Sequence, residues 1–168
     1  MGDIMDIDIQ NSKYGNRAKE LFLQGYNCSQ SVFLAFADKY DMDYDTAMKI
    51  SSSFGGGMGR LREVCGAVSG MFMVAGILYG YNSPKDYEGK TKHYERIQQL
   101  AHEYELRNGS IVCREILGLG KGKDNFVPEK RTEEYYKKRP CPDLVAVAAA
   151  IMEQYIKEIE QHQELHLE

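Results

Sequence analysis

Apolar residues recur at helical spacing, not strand spacing, along nearly the whole of this 168-residue chain. In residues 11–26, Ala18, Leu21, Phe22 and Gly25 share one face behind an Asn11 or Ser12 cap. Residues 27–40 repeat the pattern with Val32, Phe33 and Phe36 behind Asn27, and residues 43–54 predict a shorter helix opened by Asp43 or Asp45. A glycine-rich stretch follows, then an apolar helix over 64–79. Gly80, Asn82 and Pro84 then break and restart the chain. From Pro84 a long amphipathic helix is predicted, with Tyr87, Tyr94, Ile97, Leu100, Ala101 and Tyr104 as its stripe and Asn108-Gly109 as its end. Ser110 caps a short helix over 110–120. A charged loop over 118–140 carries a helical turn near 132–138, and the last helix opens at Cys141 with Pro142 in its first turn. No alternating run, repeat or low-complexity tract is present. The expectation is an all-α, single-domain bundle of about six or seven helices over residues 1–168, with a polar tail from about 160.

With 43% hydrophobic and 27% charged residues, the chain can bury a real core. Its net charge of -4 gives no general attraction for nucleic acid. No basic start, apolar run and small-residue cleavage site occur together, so a cytoplasmic location is expected. The most apolar window holds about 17 residues and several glycines, which reads as a buried helix and no membrane span.

The chemistry lies in four cysteines, Cys28, Cys65, Cys113 and Cys141. All four fall within the predicted first turn of a helix. There the free N–H groups and the positive dipole end lower a thiol's pKa from roughly 8.5 toward about 3.5–7.5. Arg60 and Arg62 precede Cys65 and would favour its anion, which makes Cys65 the expected nucleophile. The loop before Cys141 carries Lys121, Lys123, Lys130, Arg131, Lys137, Lys138 and Arg139, which as plain surface charge would only solvate it. There is no C-x-x-C pair, so any shared centre has to be assembled by the fold. If the sulfurs converge, a thiophilic metal, an iron–sulfur cluster, a disulfide or protonation must relieve their mutual repulsion. Scattered packing thiols are the bland alternative.

Cys28, then CGAVSG at 65–70, then Cys113 and Cys141, with GYNCSQSVF, FGGGMGR and CPDLV around them, resemble the C_GCAxxG_C_C family over roughly residues 15–155. Its members are described as redox-active, and a related helical region occurs in split-Soret cytochromes c with an iron–sulfur centre. The resemblance therefore implies Cys28, Cys65, Cys113 and Cys141 as redox thiols or as ligands of an iron–sulfur cluster or another metal. No C-x-x-C-H is present, so covalent c-type haem is not implied. The partners expected are a redox protein or a transport-related protein, and for self-association a homodimer. The competing reading is a non-enzymatic structural or interaction module with structural cysteines.

The glycine stretch GGGMGRLRE lacks a P-loop ending and a preceding strand, so no nucleotide is expected. Its glycines predict positive φ and close backbone approach beside Cys65, with an anion at the next helix start as the lesser alternative. Gly66 and Gly70 leave one helix face without bulk, for packing or for access to a cofactor, and Arg60 is grouped with them as a cofactor contact. Met71 and Met73 read as core. His162 and His166 are four apart in the polar tail, which favours incidental metal binding over a built site.

Overall fold

A computed structural model describes residues 5–121 and 124–165; Lys123 and His166 lie outside them. Among the described residues eight helices form the all-α domain: α1 Lys13–Leu23, α2 Cys28–Ala35, α3 Tyr44–Ser52, α4 Gly66–Tyr79, α5 Tyr87–Asn108, α6 Cys113–Ile116, α7 Glu133–Lys138 and α8 Cys141–Leu165. A 3-10 turn, Ala37–Lys39, follows α2.

Local chemistry sets the helix starts. Asn27 accepts from the Gln30 N–H while the Gln30 side chain accepts from the Asn27 N–H, a complete capping box. Asp43 caps α3 through Thr46 N–H, Asp86 caps α5 through Gly89 N–H, and Thr132 caps α7 through Tyr135 N–H. The long helix therefore opens after Asp86, not at Pro84. Ser110 is not the cap of α6: Val112 holds that position, and the Ser110 hydroxyl accepts from Val112 N–H at 2.9 Å. Helix α8 continues to Leu165, so the described part of the polar tail is helical.

The core is organised around α8, whose Leu144, Val145, Ala148, Ala149, Ile151 and Met152 are buried and which packs on α1, α2, α4 and α5. Helix α4, apolar all round, buries Ala67, Val68, Met71, Val74 and Ala75, while Met73 packs at the core margin. Gly70 is a packing residue: a Cβ there would come within 2.7 Å of the Ser29 carbonyl oxygen and 2.9 Å of Val32 Cβ. Its bare backbone is what lets α2 and α4 touch. The predicted stripe of α5 is only partly used. Leu100 and Tyr104 are buried, but Tyr87 and Tyr94, in the first half of α5, are exposed.

Ser12 links the start of α1 to α8. Its hydroxyl accepts from Gly15 N–H at 2.8 Å and donates to the buried Glu153 carboxylate at 2.5 Å, which also accepts from Tyr14 N–H. Ser12→Ala removes both bonds and leaves Glu153 short of a donor. An expected loss of about 1–2 kcal/mol follows, seen as a lower denaturant midpoint.

Candidate functional site

Each cysteine sits at a helix start. Cys28, Cys113 and Cys141 are the first residues of α2, α6 and α8, and Cys65 occupies the N-cap position of α4. A short backbone pairing brings two of these starts together. Val64 and Val112 form an isolated antiparallel bridge, flanked by Cys65 N–H to Ile111 O at 2.8 Å and Cys113 N–H to Glu63 O at 2.6 Å. Contact between α2 and α4, and between α2 and α8, brings in the other two. The result is one cavity of about 280 Å³ lined by all four cysteines.

None of the four is disulfide-bonded. Among the described residues, no three His, Cys, Asp or Glu side chains lie close enough together to hold one metal ion. The sulfurs surround a space and do not meet at a point.

The glycine stretch forms part of this cavity through Gly55, Gly56, Gly57 and Gly59. Residues 56–60 all have φ between +64° and +68°, closed by Met58 N–H to Phe54 O and Gly59 N–H to Gly55 O bonds. This is one turn of left-handed helix, and Arg62 repeats the conformation at φ 61°. The expected positive φ is present. The close approach, however, is made to Cys113 and to Asn27, not to Cys65: a Cβ on Gly57 would lie 2.6 Å from Cys113 Cβ, and one on Gly55 2.4 Å from the Asn27 side chain. Gly66 lines the cavity, and its missing Cβ leaves room for Cys28 Cβ, 2.9 Å from where it would stand.

The four sulfurs differ in their electrostatics. Cys28 and Cys141, at the starts of the packed helices α2 and α8, both line the cavity and act on each other's ionisation. Donation from Cys28 holds Cys141 at about 7 against the opposing effect of burial, helped by Arg139, Arg131 and Arg62. The same contact, with burial, pushes Cys28 well up. Burial drives Cys65 to about 11, although the Tyr104 hydroxyl, 3.5 Å from its sulfur, pulls the other way. Burial also raises Cys113, opposed by Arg62, whose Nη1 donates to Cys113 Sγ at 3.7 Å. The helix start is thus no guarantee of a low pKa: for three of the four thiols, burial or a like partner outweighs it.

The arginines before Cys65 do not flank its sulfur. Arg60 and Arg62 turn to Asp124 in the charged loop, Nη2 of each meeting its carboxylate at 2.8 and 2.7 Å, and Arg60 Nε donates to Asn125 O. These contacts hold the Asp124 carboxyl down at about 2. Arg60 lines the cavity wall beside Glu129, which pairs with Arg139. Arg131 and Asp124 emerge only in three dimensions. Arg131 donates to the Phe22 and Tyr26 carbonyls and stacks 3.9 Å above the Phe22 ring. A basic loop in the sequence does not reveal which of its charges turn inward. His162, on the far end of α8, takes no part.

No helix among the described residues is long and apolar enough to cross a membrane. No curated protein and no solved structure matches the chain. The model of the family described as "Putative redox-active protein (C_GCAxxG_C_C)" matches residues 26–155, which span α2 to most of α8 and include all four cavity cysteines. With a match over well more than half its length, the chain belongs to the C_GCAxxG_C_C family.

Proposed function

We propose that this protein carries out thiol–disulfide exchange at the cavity, with Cys141 as the attacking thiolate and Cys28 as the resolving thiol. The observation that carries this reading is the Cys28–Cys141 pair, two thiols at the starts of packed helices that line one arginine-rich cavity and act on each other's ionisation. The choice of Cys141 over Cys65 follows from burial, which keeps Cys65 protonated. The Cys141 thiolate attacks one sulfur of a substrate disulfide, forming a mixed disulfide as the substrate S–S bond breaks. The departing thiolate takes the proton held on Cys28. The Cys28 thiolate then attacks Cys141 Sγ, closes a Cys28–Cys141 disulfide and expels the second thiolate, which is protonated by water. One disulfide is reduced to two thiols and two cysteines are oxidised to one disulfide.

A second reading is favoured by the placement of the sulfurs around a volume. Four thiols from four helix starts fit a polynuclear iron–sulfur cluster where they do not fit a single ion, with Cys28, Cys65, Cys113 and Cys141 as the ligands. Such a cluster would supply one-electron transfer, and the Tyr104 hydroxyl and Arg62 guanidinium would then be hydrogen-bond donors to two of the ligating sulfurs.

Anaerobic purification separates the two. Exchange chemistry predicts a chain free of iron and sulfide, in which a mild disulfide oxidant removes two thiols of four and peptide mapping joins Cys28 to Cys141. Stoichiometric iron and sulfide would replace the first reading by the second. A metal-free protein with four inert native thiols would sink both.

A further inference from the structure

Four guanidiniums line the cavity, those of Arg60, Arg62, Arg131 and Arg139, and the carboxylate beside them in the wall is Glu129. Asp124 neutralises part of this charge by bonding to Arg60 and Arg62. Four positive charges therefore face two carboxylates, within a chain whose net charge is -4. Arg131 pairs with no carboxylate among the described residues; its partners are carbonyl oxygens and aromatic faces. A single Cys141 thiolate offsets only one of the two surplus charges. The other is met by no carboxylate among the described residues. The rest of the lining includes the apolar Phe126, Pro128, Ile116, Leu117 and Leu144. At about 280 Å³ the space lies at the lower edge of the roughly 300–1,000 Å³ typical of small-molecule sites. That is room for a molecule of amino-acid size.

We infer that the substrate of this cavity is a small anionic disulfide, one whose carboxylate is received by the surplus arginine charge at Arg131 while its sulfur meets Cys141. The inference rests on the exchange reading above and adds the substrate class to it. The balance is the same: the Cys141–sulfur bond forms as the substrate S–S bond breaks, Cys28 closes the protein disulfide, and two small carboxylate-bearing thiols leave.

The charge dependence is testable on the unmodified chain with three disulfides of similar length: dithiodipropionate, a dianion; hydroxyethyl disulfide, neutral; and cystamine, a dication. A free thiolate in water reacts fastest with the dication and slowest with the dianion, because like charges repel. Mercaptoethanol gives that reference order. The reduced protein is expected to reverse it, oxidising at least about tenfold faster with dithiodipropionate than with cystamine, within the range of electrostatic steering. The advantage should shrink as salt rises. Arg131→Gln should lower the ratio of the dianion rate to the neutral rate, whatever it does to either rate alone. If the protein follows the order of mercaptoethanol, the anionic class is wrong and the exchange reading stands. If none of the three oxidises the thiol pair, both fall together.

Discussion

In the native protein at pH 7 Cys141 is expected to alkylate about a hundredfold faster than Cys65, and replacing Cys141 by serine to remove this fast phase. The figure comes from two opposing effects. A thiol held at about 7 is about half ionised at pH 7, whereas the Cys65 thiol, at about 11, is about one ten-thousandth ionised. A thiolate of higher pKa is the better nucleophile, with a Brønsted slope of about 0.4–0.5, and this returns a factor of roughly 40–100 over four units. The ionised fraction wins by about two orders of magnitude. The groups that face Cys141 set the sign of its pH dependence. Cys28 donates to the anion, and Arg139, Arg131 and Arg62 attract it; burial opposes them, and Tyr135, Cys65 and Cys113 add repulsion only once they ionise. The alkylation rate should therefore rise with pH through a midpoint near 7, well below that of an ordinary thiol, and Cys28→Ala, which leaves no donor, should move the midpoint upward by removing the first and largest of the favourable contacts. Stopped-flow alkylation with mass mapping measures both. A Cys141→Ser protein that still alkylates at the native rate would show that another sulfur is the reactive one.

The contrast between Cys141 and Cys65 also marks how far the sequence carries. The helix starts at Cys28 and Cys141 were legible, since Asn27 before Cys28 and Pro142 after Cys141 are local signals acting within one turn, whereas the starts near Cys65 and Cys113 fall two and three residues later than the sequence places them. Convergence was not. It depends on the Val64–Val112 bridge between segments 48 residues apart and on α2 lying against both α4 and α8, neither of which leaves a periodic trace. The same limit governs charge. Arg60 and Arg62 neighbour Cys65 in the chain, but the left-handed backbone aims them at Asp124 and Cys113. Glycines at 56, 57 and 59 announce positive φ; Met58, Arg60 and Arg62 adopt it only because the surrounding bonds hold them there. Proximity in sequence named the right residues and the wrong partners.

That left-handed turn is the site's structural weak point, and Gly57→Ala is expected to cost about 2–5 kcal/mol. Two penalties add. Alanine at φ +68° brings its Cβ against the following carbonyl, which costs roughly 1–2 kcal/mol in the left-handed region. The new methyl would also stand 2.6 Å from Cys113 Cβ, 2.9 Å from Arg62 Cα and 3.0 Å from Glu63 N. Two of these three are backbone atoms, and the third is the first carbon of a buried side chain, so none can swing aside; crowding of this kind costs about 1–3 kcal/mol. Gly109→Ala isolates the first penalty, because Gly109 has φ +80° with nothing within 4 Å of its absent Cβ. It should lose only about 1–2 kcal/mol. The difference between the two variants in urea midpoint, at unchanged slope, measures how tightly the turn is pressed against Cys113. Arg62 and Glu63 also hold the N–H groups at the start of α6, through Arg114 N–H to Arg62 O and Cys113 N–H to Glu63 O, so a turn pushed outward carries the Cys113 sulfur with it. Equal losses in the two variants would mean that the turn has room to move, and that the bridge alone positions Cys113.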